Sequence, residues 1–256
     1  MSEVAVKEKE DVLIVSENIE KTIELKEIKK EYKVKRFKIY YIYKRFVVIV
    51  ASLLDLILLS PVFLIVSILI KKEDKGPAFF TQSRIGKNGK EIKIYKFRSM
   101  IMNAEKVLEE LMEKDEDIKR EYLTNKKLDN DPRITKIGKF IRKTSIDELP
   151  QLINVLKGDM SLVGPRPYLF REISDMGDAY YHIITCKPGI TGYWQVNGRS
   201  NTTFEERCEM EKHYSKHINA WMDIKILFHH HMHLFCFYAS KSQIALSLCQ
   251  YYDSNS

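Results

Sequence analysis

The chain has 256 residues, a formal net charge of +7, a pI near 9.0 and 45% hydrophobic residues. That length supports one substantial core with appendages, and the charge favours an anionic partner, whether phosphorylated substrate, nucleic acid or membrane surface, without choosing among them. The four cysteines, Cys186, Cys208, Cys236 and Cys249, are widely spaced with no C-x-x-C pair, which argues against a zinc ribbon or a disulfide framework and leaves reduced thiols.

From the start of the chain, Met1 to Asp11 is rich in Glu and Lys and has no apolar stretch behind a basic start, so no cleaved signal peptide is expected. Residues 1–38 show no sustained period and read as a mobile charged extension. The balance turns basic from Lys29, with Lys35, Arg36, Lys38, Lys44 and Arg45 interleaved with Phe37, Tyr40, Tyr41 and Tyr43, a mixture suited to the headgroup layer of an anionic leaflet. Phe46 to Ile70 is then almost unbroken apolar sequence, about 25 residues or roughly 37 Å as one straight helix, against a hydrocarbon core of about 30 Å. Pro61 behind Ser60 interrupts it, and Lys71, Lys72 and Lys75 make the far flank cationic as well. A proline kink with both flanks positive predicts a re-entrant helical hairpin over 39–73, bent at Ser60 and Pro61; a kinked crossing helix is the alternative.

Residues 78–82 and 90–97 read as strands around Asn88-Gly89, a hairpin signal. Asn103 to Tyr122 is highly charged, with apolar residues at helical spacing, and predicts one surface helix. Next, Ser145 and Glu148 have the S-x-x-E spacing of a capping box opening an amphipathic helix, a reading that accounts for Asp147 and Glu148 as helix-start acids. Their surroundings point to chemistry. Arg142 and Lys143 lie just upstream, and two loops follow, Ser161 to Pro167 and Pro188 to Arg199, rich in glycine and proline. Arg166 is pinned between Pro165 and Pro167. Guanidinium forks grip phosphate oxygens, and a carboxylate can attack phosphorus or hold a divalent cation, so Arg142, Arg166 and Arg199 beside an acid pair make a candidate diphosphate site.

These blocks, with Lys44-Arg45, Lys75 to Phe80, Arg84 to Gly86, Lys93 to Met100, Asp131 to Arg133, Leu156 to Pro167 and Asp223 to Leu227, run in order over roughly Lys44 to Phe228. In this the chain resembles the monotopic polyprenyl-phosphate phosphoglycosyl transferases, the bacterial sugar transferase family. The resemblance implies an α+β fold: a re-entrant membrane helix at 39–73 and a cytoplasmic catalytic domain over 74–228, small and helical with a short β-hairpin and long loops; residues 229–256 are an atypical tail outside it. It implies transfer of a sugar 1-phosphate from a UDP-sugar to polyprenyl phosphate at the cytoplasmic face of the inner membrane. Asp147 is the expected nucleophile, forming a covalent phosphosugar intermediate, with Glu148 assisting and Mg²⁺ held with Asp147. Arg142, Arg166, Arg199 and the flanking prolines would bind the substrate.

Two places depart from the family pattern. The acid expected three positions after Lys44-Arg45 is replaced by Val48, and Asp55 is the expected substitute for anchoring the helix. The tail carries His229, His230, His231 and His233 bunched without the spacing of a built metal site, and raises the alternative of a catalytically impaired membrane-tethered scaffold. A nucleic-acid reading of the basic segment leaves the apolar run and the proline-rich loops unexplained, so no nucleic-acid partner is expected. The transferred sugar, the glycan pathway and the oligomeric state are not legible in the sequence.

Overall fold

A computed structural model describes residues 38–125, 128–198 and 202–239. The charged extension, Arg199 and the last residues of the tail lie outside these. The apolar run forms two helices, α1 (Lys38–Leu58) and α2 (Ser60–Asp74). They part at Leu59, where Ser60 Oγ turns back to donate to Ile57 O at 2.8 Å. Pro61 sits in the first turn of α2, where its missing N–H breaks no helical bond. The pair is bent by 58° at this break, and among the described residues no single helix is long and apolar enough to cross a membrane.

The hairpin follows as β1 (Phe79–Ile85) and β2 (Glu91–Phe97). Its turn is wider than a two-residue loop, with a 3₁₀ turn at Lys87–Gly89 in which Asn88 and Gly89 take positive φ (63° and 75°). The single surface helix expected over 103–122 is instead two, α3 (Ala104–Lys114) and α4 (Glu116–Asn125). Asp115 between them is extended and accepts from the N–H groups of Asp117 (2.9 Å) and Ile118 (3.2 Å), starting a fresh helix as an N-cap does. The rest of the chain is α5 (Lys136–Lys143), a 3₁₀ turn at Ile146–Glu148, α6 (Gln151–Lys157), β3 (Ser161–Val163), α7 (Ile173–Met176), α8 (Ala179–Ile183), β4 (Gly189–Thr191), α9 (Tyr193–Asn197), α10 (Phe204–His217) and α11 (Ala220–Ala239). The fold is α+β, mostly helical with two two-stranded sheets.

Two compact units are formed. One comprises 48–84 and 91–162 and is called here the Asp147 unit; the other, the Arg166 unit, comprises the described residues of 38–47, 85–90 and 163–239.

In the Asp147 unit, the inward face of α2 (Val66 and Ile70, flanked by Val62 and Phe63) packs on Phe97 of β2, Ile137 and Ile141 of α5, and Ile146. Ions tie the same elements: Asp74 pairs with buried Arg98, whose Nε also donates to Pro77 O at 2.6 Å. Glu73 accepts from the backbone N–H groups of Lys136 (2.7 Å) and Ile137 (3.2 Å), placing a carboxylate on the positive end of α5. Gly138 lets α5 approach closely, since a Cβ there would lie 1.9 Å from Ser99 O. Asn154 of α6 is wholly buried and serves β2 as a substitute strand: its Oδ1 accepts from Tyr95 N (2.9 Å) and its Nδ2 donates to Lys93 O (2.7 Å).

The Arg166 unit has two apolar clusters, one around Ile85, Tyr168, Met176, Ile183 and Cys208, the other around Val163, Tyr214 and Ile226. Beside the second cluster, the Asp223 carboxylate accepts from Tyr40 (2.6 Å) and Tyr214 (2.7 Å) and pairs with Lys44 (2.8 Å), so α1 is held through Tyr40 and Lys44. Asp55, expected to do this, is half-buried and forms no side-chain hydrogen bond or ion pair among the described residues. His230, expected in the atypical tail, lies on α11 with Nδ1 3.1 Å from Thr191 Oγ1.

Asn154→Ala leaves two part-buried backbone groups of β2, Tyr95 N and Lys93 O, without their partner, at up to about 1–3 kcal/mol each. A loss of roughly 2–5 kcal/mol in chemical denaturation is expected, with no such loss on replacing exposed Lys90 by Ala.

Candidate active site

The S-x-x-E capping box is not formed. Ser145 has φ +56° and its side chain caps nothing, so α5 ends, the chain turns through a left-handed residue, and Asp147 and Glu148 sit on a single 3₁₀ turn. Pro150 explains why that turn does not grow into the following helix. Without an N–H it cannot donate to Ile146 O, and Leu149 N makes the shorter-range bond instead (3.1 Å). A non-glycine residue in the left-handed region costs about 1–3 kcal/mol and persists only where the surroundings hold it.

The two acids have different fates. Glu148 is half-buried and takes the Lys96 ammonium at 2.7 Å. Asp147 is 8% exposed and, among the described residues, has no ion pair. Burial, and then the Glu148 carboxylate, push its carboxyl up to about 6, against the weaker pull of Lys96 and Arg142. Arg142, at the end of α5, is itself exposed to solvent. The structure thus gathers three of the expected residues, Asp147, Glu148 and Arg142, and adds Lys96.

Sequence reasoning assigned Lys96 no role. The available signal was alternation: on β2 it shares a face with Ile92 and Ile94, and a charge on that face needs a partner.

Among the described residues, no three His, Cys, Asp or Glu side chains converge as a ready metal site. Mg²⁺ is bound typically through one or two carboxylates plus substrate phosphates and water, and Asp147, with its oxygens not committed to another side chain, fits that requirement.

Arg166 lies in the other unit, on the turn that follows β3. Gly164 N donates to Thr191 O (3.0 Å), Gly189 N to Pro165 O (2.8 Å), and Lys44 Nζ to Val163 O (3.1 Å). Glycine is required at 164 and 189, because a Cβ on Gly189 would lie 2.1 Å from Gly164 N. Pro165 is buried within this scaffold and Pro167 is half-buried. The Arg166 amide donates to Glu211 Oε1 at 3.1 Å, while its Cζ stands 5.9 Å from the Trp194 ring, against which Arg207 packs at 4.4 Å. Glu211 was also missed; it falls on the inward stripe of α10 with Cys208 and Tyr214, where a carboxylate is as conspicuous as Lys96 on β2.

Comparison with known proteins follows the same span. A family model described as bacterial sugar transferase matches residues 39–236. An undecaprenyl-phosphate galactose phosphotransferase of Salmonella typhimurium is 47% identical over 180 residues, which cover 70% of this chain and 38% of that protein. A UDP-glucose:undecaprenyl-phosphate glucose-1-phosphate transferase of Escherichia coli is 40% identical over 189 residues, covering 70% of this chain and 37% of its own length. The exopolysaccharide production protein ExoY of Sinorhizobium fredii is 40% identical over 180 residues, 70% of this chain and 80% of that protein. The chain therefore spans little more than a third of the two longer relatives and most of the short one.

Because the Asp147 carboxyl is raised in the folded state, its ionisation costs stability at pH values above its unfolded range and costs nothing below it. Asp147→Asn is expected to stabilise the fold at pH 7.5 by up to about 2–3 kcal/mol, an advantage that fades between about pH 6 and pH 4. Thermal melts of both proteins across that range check it.

Proposed function

Since the chain belongs to the bacterial sugar transferase family, we propose that it transfers a sugar 1-phosphate from a UDP-sugar to polyprenyl phosphate with release of UMP. This is the first membrane step of exopolysaccharide, capsule or O-antigen type glycan assembly. The observation that carries the reading is the Asp147 carboxylate, held out of water and, among the described residues, without an ion pair, while its neighbour Glu148 is occupied by Lys96. A desolvated carboxylate with a carboxyl near 6 is ionised at neutral pH yet poorly solvated, which is what a nucleophile requires.

In this scheme an Asp147 oxygen attacks the phosphorus that bears the sugar. The bond to the bridging oxygen breaks, and UMP leaves with the electron pair. Polyprenyl phosphate oxygen then attacks the aspartyl phosphosugar, and the Asp147 carboxylate is the leaving group. Glu148, fixed by Lys96, orients the acceptor phosphate or takes its proton when that group arrives protonated. Arg142, Arg166 and Arg199 neutralise the diphosphate. Mg²⁺, held by Asp147 and substrate oxygens, would supply further charge neutralisation.

A membrane location follows from the acceptor, whose chain leaves lipid only at about 0.8 kcal/mol per CH₂. Supporting it, Leu53, Leu54, Ile57 and Leu58 of α1 and Leu64, Ile65, Ile68 and Leu69 of α2 are exposed, an apolar surface that water disfavours and lipid does not. We read the bent pair as a re-entrant hairpin in the inner membrane, with the catalytic domain over 74–228 on the cytoplasmic face.

The test is UMP release from a panel of UDP-sugars by detergent-solubilised protein with Mg²⁺ and polyprenyl phosphate. Release with one sugar is expected, falling by about 10³-fold or more in Asp147→Asn. Its rate should rise with pH through about 6 and level off above, since only the ionised carboxylate attacks. Folded, membrane-bound protein that releases no UMP from any donor would favour a scaffold that kept the fold and lost turnover.

A further inference from the structure

Glu211 is a buried acid that this mechanism leaves unused. It is wholly inaccessible to solvent, its Oε1 accepts the Arg166 amide at 3.1 Å, and its Oε2 has no hydrogen-bond partner among the described residues. Burying an ionisable carboxyl costs several kcal/mol unless it is neutral or paired, and an apolar side chain of equal volume would fill the space more favourably. The guanidinium groups of Arg166 and Arg207 act on it, yet burial prevails and raises the carboxyl to about 8, so at neutral pH it serves mainly as an uncharged acceptor. A Cβ on Gly192 would come within 3.4 Å of Oε1 and 2.5 Å of Gly164 O, so the backbone packs tightly about this contact.

The direction of the contact matters. Arg166 stands between two prolines that have no N–H, so its own amide is the one donor the backbone offers over 165–167. Val163 O is taken by Lys44, Gly164 N by Thr191 and Pro165 O by Gly189, which leaves the Arg166 N–H as the point that sets where the arginine leaves the turn. Glu211 takes that point.

We propose that Glu211 is the positioning residue for Arg166: by holding the arginine's amide it fixes the turn from which the guanidinium reaches the diphosphate of the sugar nucleotide. For what Arg166 does, this rests on the transferase reading above; for where Arg166 is held, it does not.

The experiment uses the full chain in detergent and two readouts, the Michaelis constants for the UDP-sugar donor and amide hydrogen exchange in the peptide containing Arg166. Glu211→Gln keeps the acceptor and is expected to hold KM within about 3-fold of wild type, with Arg166 still protected. Glu211→Met keeps the volume and removes the acceptor; KM for the donor should rise by about 10-fold or more with a smaller change in kcat, and exchange at Arg166 should accelerate. In an Arg166→Met background the Glu211→Met change should add little. Should Glu211→Met fail to fold, Glu211→Asp, one methylene too short, takes its place with the same expectations. Unchanged exchange at Arg166 in the Met or Asp variant overturns the proposal, as does a Gln variant as damaged as the Met one, which would assign the carboxylate charge some other role. Absence of UMP release by the wild type from every donor would instead refute the transferase reading, while the exchange comparison still decides how Arg166 is held.

Discussion

One carboxylate kept out of water without a cation of its own is the constraint around which the Asp147 unit is arranged. An isolated buried acid reverts to its neutral form unless something favours the charge. Here the opposing influences are balanced. Desolvation and Glu148 raise the carboxyl, while Lys96 and Arg142 restrain the rise so that it stops near 6. The balance depends on Lys96 being engaged by Glu148 and on β2 being fixed, which the Asn154 side chain secures from α6. It depends equally on α5 ending where it does, since one more helical turn would carry Asp147 to a different face. The positive φ at Ser145 is the local strain that accompanies this termination.

Much of this was legible in the sequence. The break in the apolar run at Ser60-Pro61, the Asn88-Gly89 hairpin and the acid pair after Arg142 each rest on local chemistry, and local chemistry is what a one-dimensional reading sees. Two of the errors have equally local causes. Asp115 splits a helix whose apolar spacing resumes at Ile118 and Tyr122 beyond the break, so periodicity alone did not reveal it. The S-x-x-E pattern was misread because Pro150, two residues beyond it, withholds the N–H that would have extended a helix through the acids. Asp55 was given an anchoring role on helical phase, whereas Asp223, far away in sequence, fills it.

Lys96 and Glu211 went unassigned for a different reason. Each is a charged residue on the inward face of an otherwise apolar element, and its meaning lies in the partner, which only the folded chain provides. The two also illustrate opposite solutions to the same cost. Lys96 has an ion-pair partner in Glu148, which stays partly open to water; Glu211 is sealed off and gives up its charge for much of the physiological pH range. Such pairings separate residues that hold a site from residues that react in it.

The Asp223 cluster has a consequence for biosynthesis. Tyr40 and its acceptor are 183 positions apart. At about 5–20 residues per second, a ribosome that has made Tyr40 needs roughly 10–40 s more to reach Asp223. Throughout that interval the tyrosine and Lys44 lack the carboxylate that later holds them, while the apolar stretch just behind them has already been made. The amino-terminal end of α1 is therefore among the earliest described parts of the chain to be synthesised and among the last to be locked, and translation itself orders synthesis of the apolar stretch ahead of closure of the Arg166 unit.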